Sequence, residues 1–202
     1  MQRQIPTLSF EQSLSRRFPL PRGGEVTLRA DNGAIVVQGW ERPEVAVELV
    51  VRADKKEKLA EVLPEFSAQP THVMLQVREH YTDASTYDWR RDGPGHLFWP
   101  ALTHIRVSVP SAARLTILSH NASLELMGLL GEVEATTHNG RLQFSLTRGA
   151  DQKIEAKTYN GKLLLPEPLF SWREPRRRAE ARLGRATHRV HLSAFNGSVE
   201  VR

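Results

Sequence analysis

His120 and His138 each stand immediately before an asparagine, and Tyr159 and Phe195 stand in the same place before two others. Two imidazoles held side by side could share a metal ion or act as a pH-sensitive pair, because histidine titrates near neutrality. Four flat rings at one recurring position could equally pack against one another on neighbouring strands. No carboxylate is placed to complete a metal shell, so His120, His138, Tyr159 and Phe195 are read as a surface ladder. A second group, His80, Tyr81, Asp83, Asp88, His96 and His104, gathers in and around an aromatic-rich stretch over 81–100. Its spacing matches no metal motif, and the stretch is expected to cap an apolar edge or to contact a protein. A third group is cationic. Arg173, Arg176, Arg177 and Arg178 open a basic stretch over 173–189 that could grip phosphates, with Trp172 offering one stacking ring. Glu174 and Glu180 dilute it.

Other chemistries are excluded by what the chain lacks. It has no cysteine, which removes disulfides, thiolate zinc sites and a cysteine nucleophile together. Its serines form no Gly-x-Ser-x-Gly elbow. Arg22-Gly23-Gly24 is a turn before a strand and not a phosphate-binding loop. No catalytic, cofactor-binding or metal-ligating residue is assigned, and the chain is expected not to be an enzyme. The net charge of +5 permits contact with acidic partners without specifying one. No stretch approaches the roughly 18 apolar residues of a membrane helix, and Met1 to Phe10 shows no leader-like apolar core. The expected location is cytoplasmic, with envelope association as the alternative.

The elements that hold these residues repeat. Asn-Gly occurs at Asn32-Gly33, Asn139-Gly140, Asn160-Gly161 and Asn196-Gly197, with a variant at Asn121-Ala122. Six residues before each asparagine stand Val26, Leu115, Val133, Ile154 and Val190; four before stand Leu28, Ile117, Ala135, Ala156 and Leu192. Two before, the residue is small: Ala30, Ser119, Thr137, Thr158 or Ala194. Three after stand Ile35, Leu124, Leu142, Leu163 and Val199; five after stand Val37, Leu126, Phe144, Leu165 and Val201. Alternation with period two on both sides predicts two half-buried strands about each asparagine.

A hairpin with a type I′ turn and a corner of a coil both satisfy this pattern. Asn121, Asn139 and Asn160 follow one another too closely for a hairpin plus a return loop, which favours the coil. The predicted fold is an all-β, parallel β-solenoid of about five rungs stacked in chain order about 4.8 Å apart. Its corner glycines are expected to take positive φ.

Residues 1–202 read as a single domain. Over 25–110, strands at Val45–Val51, Val73–Val77 and Ile105–Val109 accompany the first unit, and a short helix is predicted over Lys55–Leu63. Over 111–202 lie the remaining rungs, interrupted by an insertion at 166–187. The last rung reaches the final residue with nothing left to cover it, so either a homodimer through the C-terminal edge at Val199 or an adjacent face, the favoured outcome, or an insertion such as 166–187 folded over that edge is expected.

The run Asp31-Asn32-Gly33-Ala34-Ile35-Val36-Val37-Gln38-Gly39-Trp40, followed by an alternating strand and a short Lys/Glu helix, resembles the bacterial putative-adhesin family of unknown function. So does Val107-Ser108-Val109-Pro110 followed by Gly128-Leu129-Leu130-Gly131-Glu132-Val133. The resemblance covers about 25–202. It implies a β-solenoid with a Val/Leu/Ile interior, no catalytic residues, and members that are commonly exported or tethered to the envelope. Together these readings give a non-enzymatic scaffold or binding module for protein or envelope contacts. The alternative is a nucleic-acid or anionic-polymer binder acting through 173–189.

Overall fold

The computed structural model describes residues 8–79, 101–166, 168–173 and 177–202, without the side chains of Glu79 and Arg173. Over these residues the chain is all-β, with a single 3-10 helix, and its strands join into one 15-stranded mixed sheet that is not closed. The Asn-Gly units supply its parallel part. Strand β2 (Glu25–Trp40) and strand β7 (Arg114–Met127) each run through the corner without a break. In the other three units the strand stops at the corner and restarts, giving β8 (Val133–Thr137) with β9 (Leu142–Phe144), β10 (Gln152–Thr158) with β11 (Leu163–Leu164), and β14 (His188–Ala194) with β15 (Val199–Val201).

The units are in register with one another. Before the corner Val26, Leu115, Val133, Val190 and Ile154 are successive partners. After it the row is Ile35, Leu124, Leu142, Val199 and Leu163. The apolar positions fall at even offsets before the asparagine and odd offsets after it. The corner therefore shifts the alternation by one residue, as a bulge does, and both flanks turn their apolar side chains to the same interior. Of all the recurring apolar and small positions, only Ser119, Leu163 and Leu165 are not buried. Leu142, Phe144 and Ile154 are fully enclosed. Leu163, also expected in the core, is half-buried, because among the described residues β11 has a neighbour on one side only.

The order of the units differs from the expected order. The Asn196 unit lies between the Asn139 and Asn160 units, since β14 pairs with both β8 and β10. The cause is the insertion over 166–187. It forms β12 (Ser171–Arg173) and β13 (Arg178–Arg182), and β13 lies antiparallel on the outer edge of β10. With that edge taken, the returning chain enters on the inner side. Consequently Val199 is paired on both sides, to Leu142 and to Leu163. The C-terminal strand is not an edge, and the surface expected to form a homodimer is occupied within the chain.

The opposite end is built antiparallel. Strand β6 (Leu102–Pro110) lies parallel to the second half of β2 and antiparallel to β3 (Glu44–Ala53). Outside β3 lies β1 (Phe10–Pro19), mostly exposed and not anticipated from the sequence; its Leu14 and Phe18 pack on the core. Strand β5 (His72–Glu79) lies parallel to the first half of β2, with β4 (Val62–Gln69) antiparallel beside it. The predicted helix over Lys55–Leu63 is a 3-10 helix over Lys56–Glu61 with no buried residue. Only Leu59 of it packs against the core, and so narrow an apolar contact does not hold a longer helix. Pro64 then sits in β4, which among the described residues pairs only with β5, so that its other edge needs no N–H from Pro64.

Candidate functional site

The corner is held by side chains as well as by backbone. Asn121 Nδ2 donates to Asn32 Oδ1 (2.9 Å), Asn139 Nδ2 to Asn121 Oδ1 (2.7 Å), Asn196 Nδ2 to Asn139 Oδ1 (3.0 Å) and Asn160 Nδ2 to Asn196 Oδ1 (2.9 Å). All five asparagines thus form one chain of amide hydrogen bonds, as stacked amides do along parallel in-register strands. The small residue two places earlier has a role of its own. Thr137 Oγ1 donates to the Ala122 carbonyl (3.1 Å) and Thr158 Oγ1 to the Gly197 carbonyl (2.7 Å). A buried carbonyl at the bend is satisfied this way.

The corner glycines are not chosen for positive φ, contrary to the expectation. Among them only Gly33 holds it, at 113°. A Cβ on Gly140 would run into the Ala122 carbonyl, on Gly197 into the Gly140 carbonyl, and on Gly161 into the Gly197 carbonyl. Close approach of stacked backbones is what requires glycine here. Ala122 tolerates its methyl where its neighbour is Gly33, whose corner has a different shape.

One residue before the asparagines, the rings stack on the outside. His120 and His138 lie 5.1 Å apart between centroids and 26° from parallel; His138 and Phe195, 4.8 Å and 8°; Phe195 and Tyr159, 4.8 Å and 4°. The order follows the stacking of the units and not the chain. Tyr159 is 58% exposed and Phe195 42%. Asp31 holds the equivalent place in the first unit, at the His120 end. At the other end Arg177 lies over the Tyr159 ring at 5.8 Å and donates to the Tyr159 carbonyl (2.5 Å). Arg178 is bound to Glu155 (3.0 Å) and Glu180 (3.2 Å). Two of the four arginines proposed to hold anions are therefore engaged within the chain. Arg176 and the side chain of Arg173 lie outside the described residues.

The rows beside the ladder share one sign of charge. On one side the outward register row is Arg29, Leu118, Thr136, Ser193, Lys157 and Arg178. Across the corner it is Ala34, Ser123, Arg141, Ser198 and Lys162. Carboxylates begin one row further out, at Glu134, Glu155 and Glu180 on one side and Glu125 and Glu200 on the other. Arg141 is paired with Glu200. Arg29, Lys157 and Lys162 are exposed and make no ion pair among the described residues.

The fold is shared with a solved bacterial structure. That structure is of a putative cell adhesion protein from Clostridium sporogenes; it matches with a TM-score of 0.56 at 7% identity, over 94% of this chain and 99% of that one. Putative adhesins from Bacteroides fragilis (TM-score 0.27, 9% identity, 98% and 99% covered) and Parabacteroides merdae (0.25, 9%, 95% and 96%) also match. No protein-family model and no curated protein sequence matches the chain.

On the outer face away from the ladder lies an open groove of about 720 Å³, lined among others by Arg114, Glu132, Glu134, Glu155, Arg189 and His191. Its charges are interleaved, as in the Arg114–Glu132 pair at 2.7 Å. His191, with Nδ1 3.7 Å from Glu155 Oε1, has its pKa lowered, first by burial and then by Lys157, against the raising influence of Glu155 and Glu134. Among the described residues no group of three His, Asp or Glu side chains is arranged to hold a metal. His104 sits in β6 beside Ala34 and Val50, away from the ladder. His80, Tyr81, Asp83, Asp88 and His96 lie outside the described residues. Among the described residues no helix is long and apolar enough to cross a membrane.

Proposed function

We propose that the parallel Asn-Gly units make up a β-solenoid that serves as a non-enzymatic binding module, presenting its ring ladder to another protein or to the cell envelope. The observation that carries this reading is the ladder itself: stacked rings on an outer corner, with Phe195 and Tyr159 left 42% and 58% exposed. Leu118 on the adjoining row and Leu164 past the corner are exposed as well. A contiguous exposed apolar strip rimmed by polar residues is the usual mark of an interaction site. Rigid rings that have already lost their rotamer freedom to stacking lose little more on binding. The adhesion-type name of the fold's relative agrees with this use.

The anion-binding alternative through 173–189 finds less support. Arg177 and Arg178 are committed inside the chain, and the ring faces on which bases would stack are taken by neighbouring rings. The test is site-specific photocrosslinking in the native cell, with a benzophenone side chain in place of Tyr159 or, as a control, of Ser13 on β1. Discrete adducts are expected from the ladder position and not from the control. The same adducts from both positions, or none from the ladder, would overturn the reading.

A further inference from the structure

The charges around the ladder specify what it holds. We infer that the ring ladder docks an acidic, extended segment of a partner protein; the inference rests on the ladder being a binding surface. Every charge on the two rows flanking the four rings is basic, and the acidic Asp31 stands on the ladder row itself beyond His120, at the far end from Tyr159. Arg178 and Arg141 are neutralised by glutamates on the next rows out, whereas Arg29, Lys157 and Lys162 are left without an ion pair among the described residues. Lys157 and Lys162 stand on opposite sides of Tyr159 and Phe195, the two carbon rings, so that half of the ladder is an apolar ridge between two rails of positive charge. An acidic chain complements such rails, and a basic one is repelled by them.

Ring geometry narrows the occupant further. Because the rings are stacked face to face, they present edges outward, and aromatic edges carry the positive part of the quadrupole. The imidazoles add N–H donors to the same edge. Such a surface accepts carboxylate and carbonyl oxygens and offers no open face to a base. The steps of 4.8 to 5.1 Å between the four rings make the ladder as long as about five residues of extended chain, at about 3.3 Å per residue. A ridge one ring wide matches the width of a single peptide strand.

The experiment is fluorescence anisotropy with two labelled probes, a Glu/Tyr peptide and its Lys/Tyr counterpart, and co-sedimentation with phosphatidylglycerol vesicles. The variants are Lys157→Glu with Lys162→Glu, and Phe195→Ser with Tyr159→Ser, each checked for its fold by circular dichroism. The Glu/Tyr peptide is expected to bind and the Lys/Tyr peptide not to. Added salt should weaken the complex, and the double charge reversal should weaken it by about tenfold or more. Equal binding of both peptides, or no loss on charge reversal, would overturn the acidic partner while leaving the ladder reading in place, provided the ring variant loses binding. Full binding by a folded ring variant would sink both. Absence of binding by the Glu/Tyr peptide, or binding to the vesicles in preference to it, would also overturn the inference, the latter naming a membrane surface instead.

Discussion

Gly197→Ala tests the stacked corner most directly. Gly197 lies in the unit between Gly140 and Gly161, and a methyl on it would be driven into the Gly140 carbonyl. Neither backbone can yield alone, because each is in register with further units on both sides. Overpacking of this kind costs about 1–3 kcal/mol. Spreading the units to relieve it would stretch the Asn196–Asn139 and Asn160–Asn196 amide bonds, at 3.0 and 2.9 Å, and the Thr158–Gly197 bond at 2.7 Å. At about 1 kcal/mol for each of these three bonds lost, the sum is about 4–6 kcal/mol. Gly23→Ala is the control, since a Cβ there meets nothing within 4 Å and its φ is not positive; it should be neutral or stabilise by up to about 1 kcal/mol. Urea unfolding followed by circular dichroism reads both. If Gly197→Ala unfolds at the same midpoint as the control, the close-approach account of the corner is wrong.

Two further outcomes follow from burial and from charge. Leu142→Ala should cost about 2–5 kcal/mol, and Leu163→Ala clearly less despite its equivalent place in the repeat, because Leu163 is half-buried at the open edge; equal losses in urea midpoint would contradict the stacking order. Stability should fall with acid in two windows. The pKa of His191 is lowered by burial, so below its ordinary 6.5 the unfolded chain takes up a proton that the folded chain resists. The pKa of Asp151 is lowered, first by the hydrogen bond from the Arg185 backbone N–H, so its stabilising contribution is present above its ordinary 3.8 and is lost as pH falls through the lower folded value. His191→Gln should flatten the slope just below pH 6.5 and leave the more acidic one; an unchanged profile would show that His191 is not its source.

The strand alternation on both sides of each asparagine was legible in the sequence because side-chain alternation and corner residues are local. Val26 or Ile35 faces the interior by its spacing from an asparagine, and that spacing needs no knowledge of the neighbouring strand. The ring position before each asparagine could be read in the same way. What the spacing does not contain is which copies touch. The Asn196 unit stacks between two earlier ones only because β13 covers β10, and that pairing joins residues distant in the chain. The order of the ring ladder, the closing of its end by Arg177, and the loss of the C-terminal edge all follow from that one non-local choice. The meaning of the corner glycines was likewise decided by tertiary structure. From sequence, glycine after asparagine signals a left-handed turn, whereas here the neighbouring backbone leaves no room for a Cβ, a constraint that exists only once the strands are stacked.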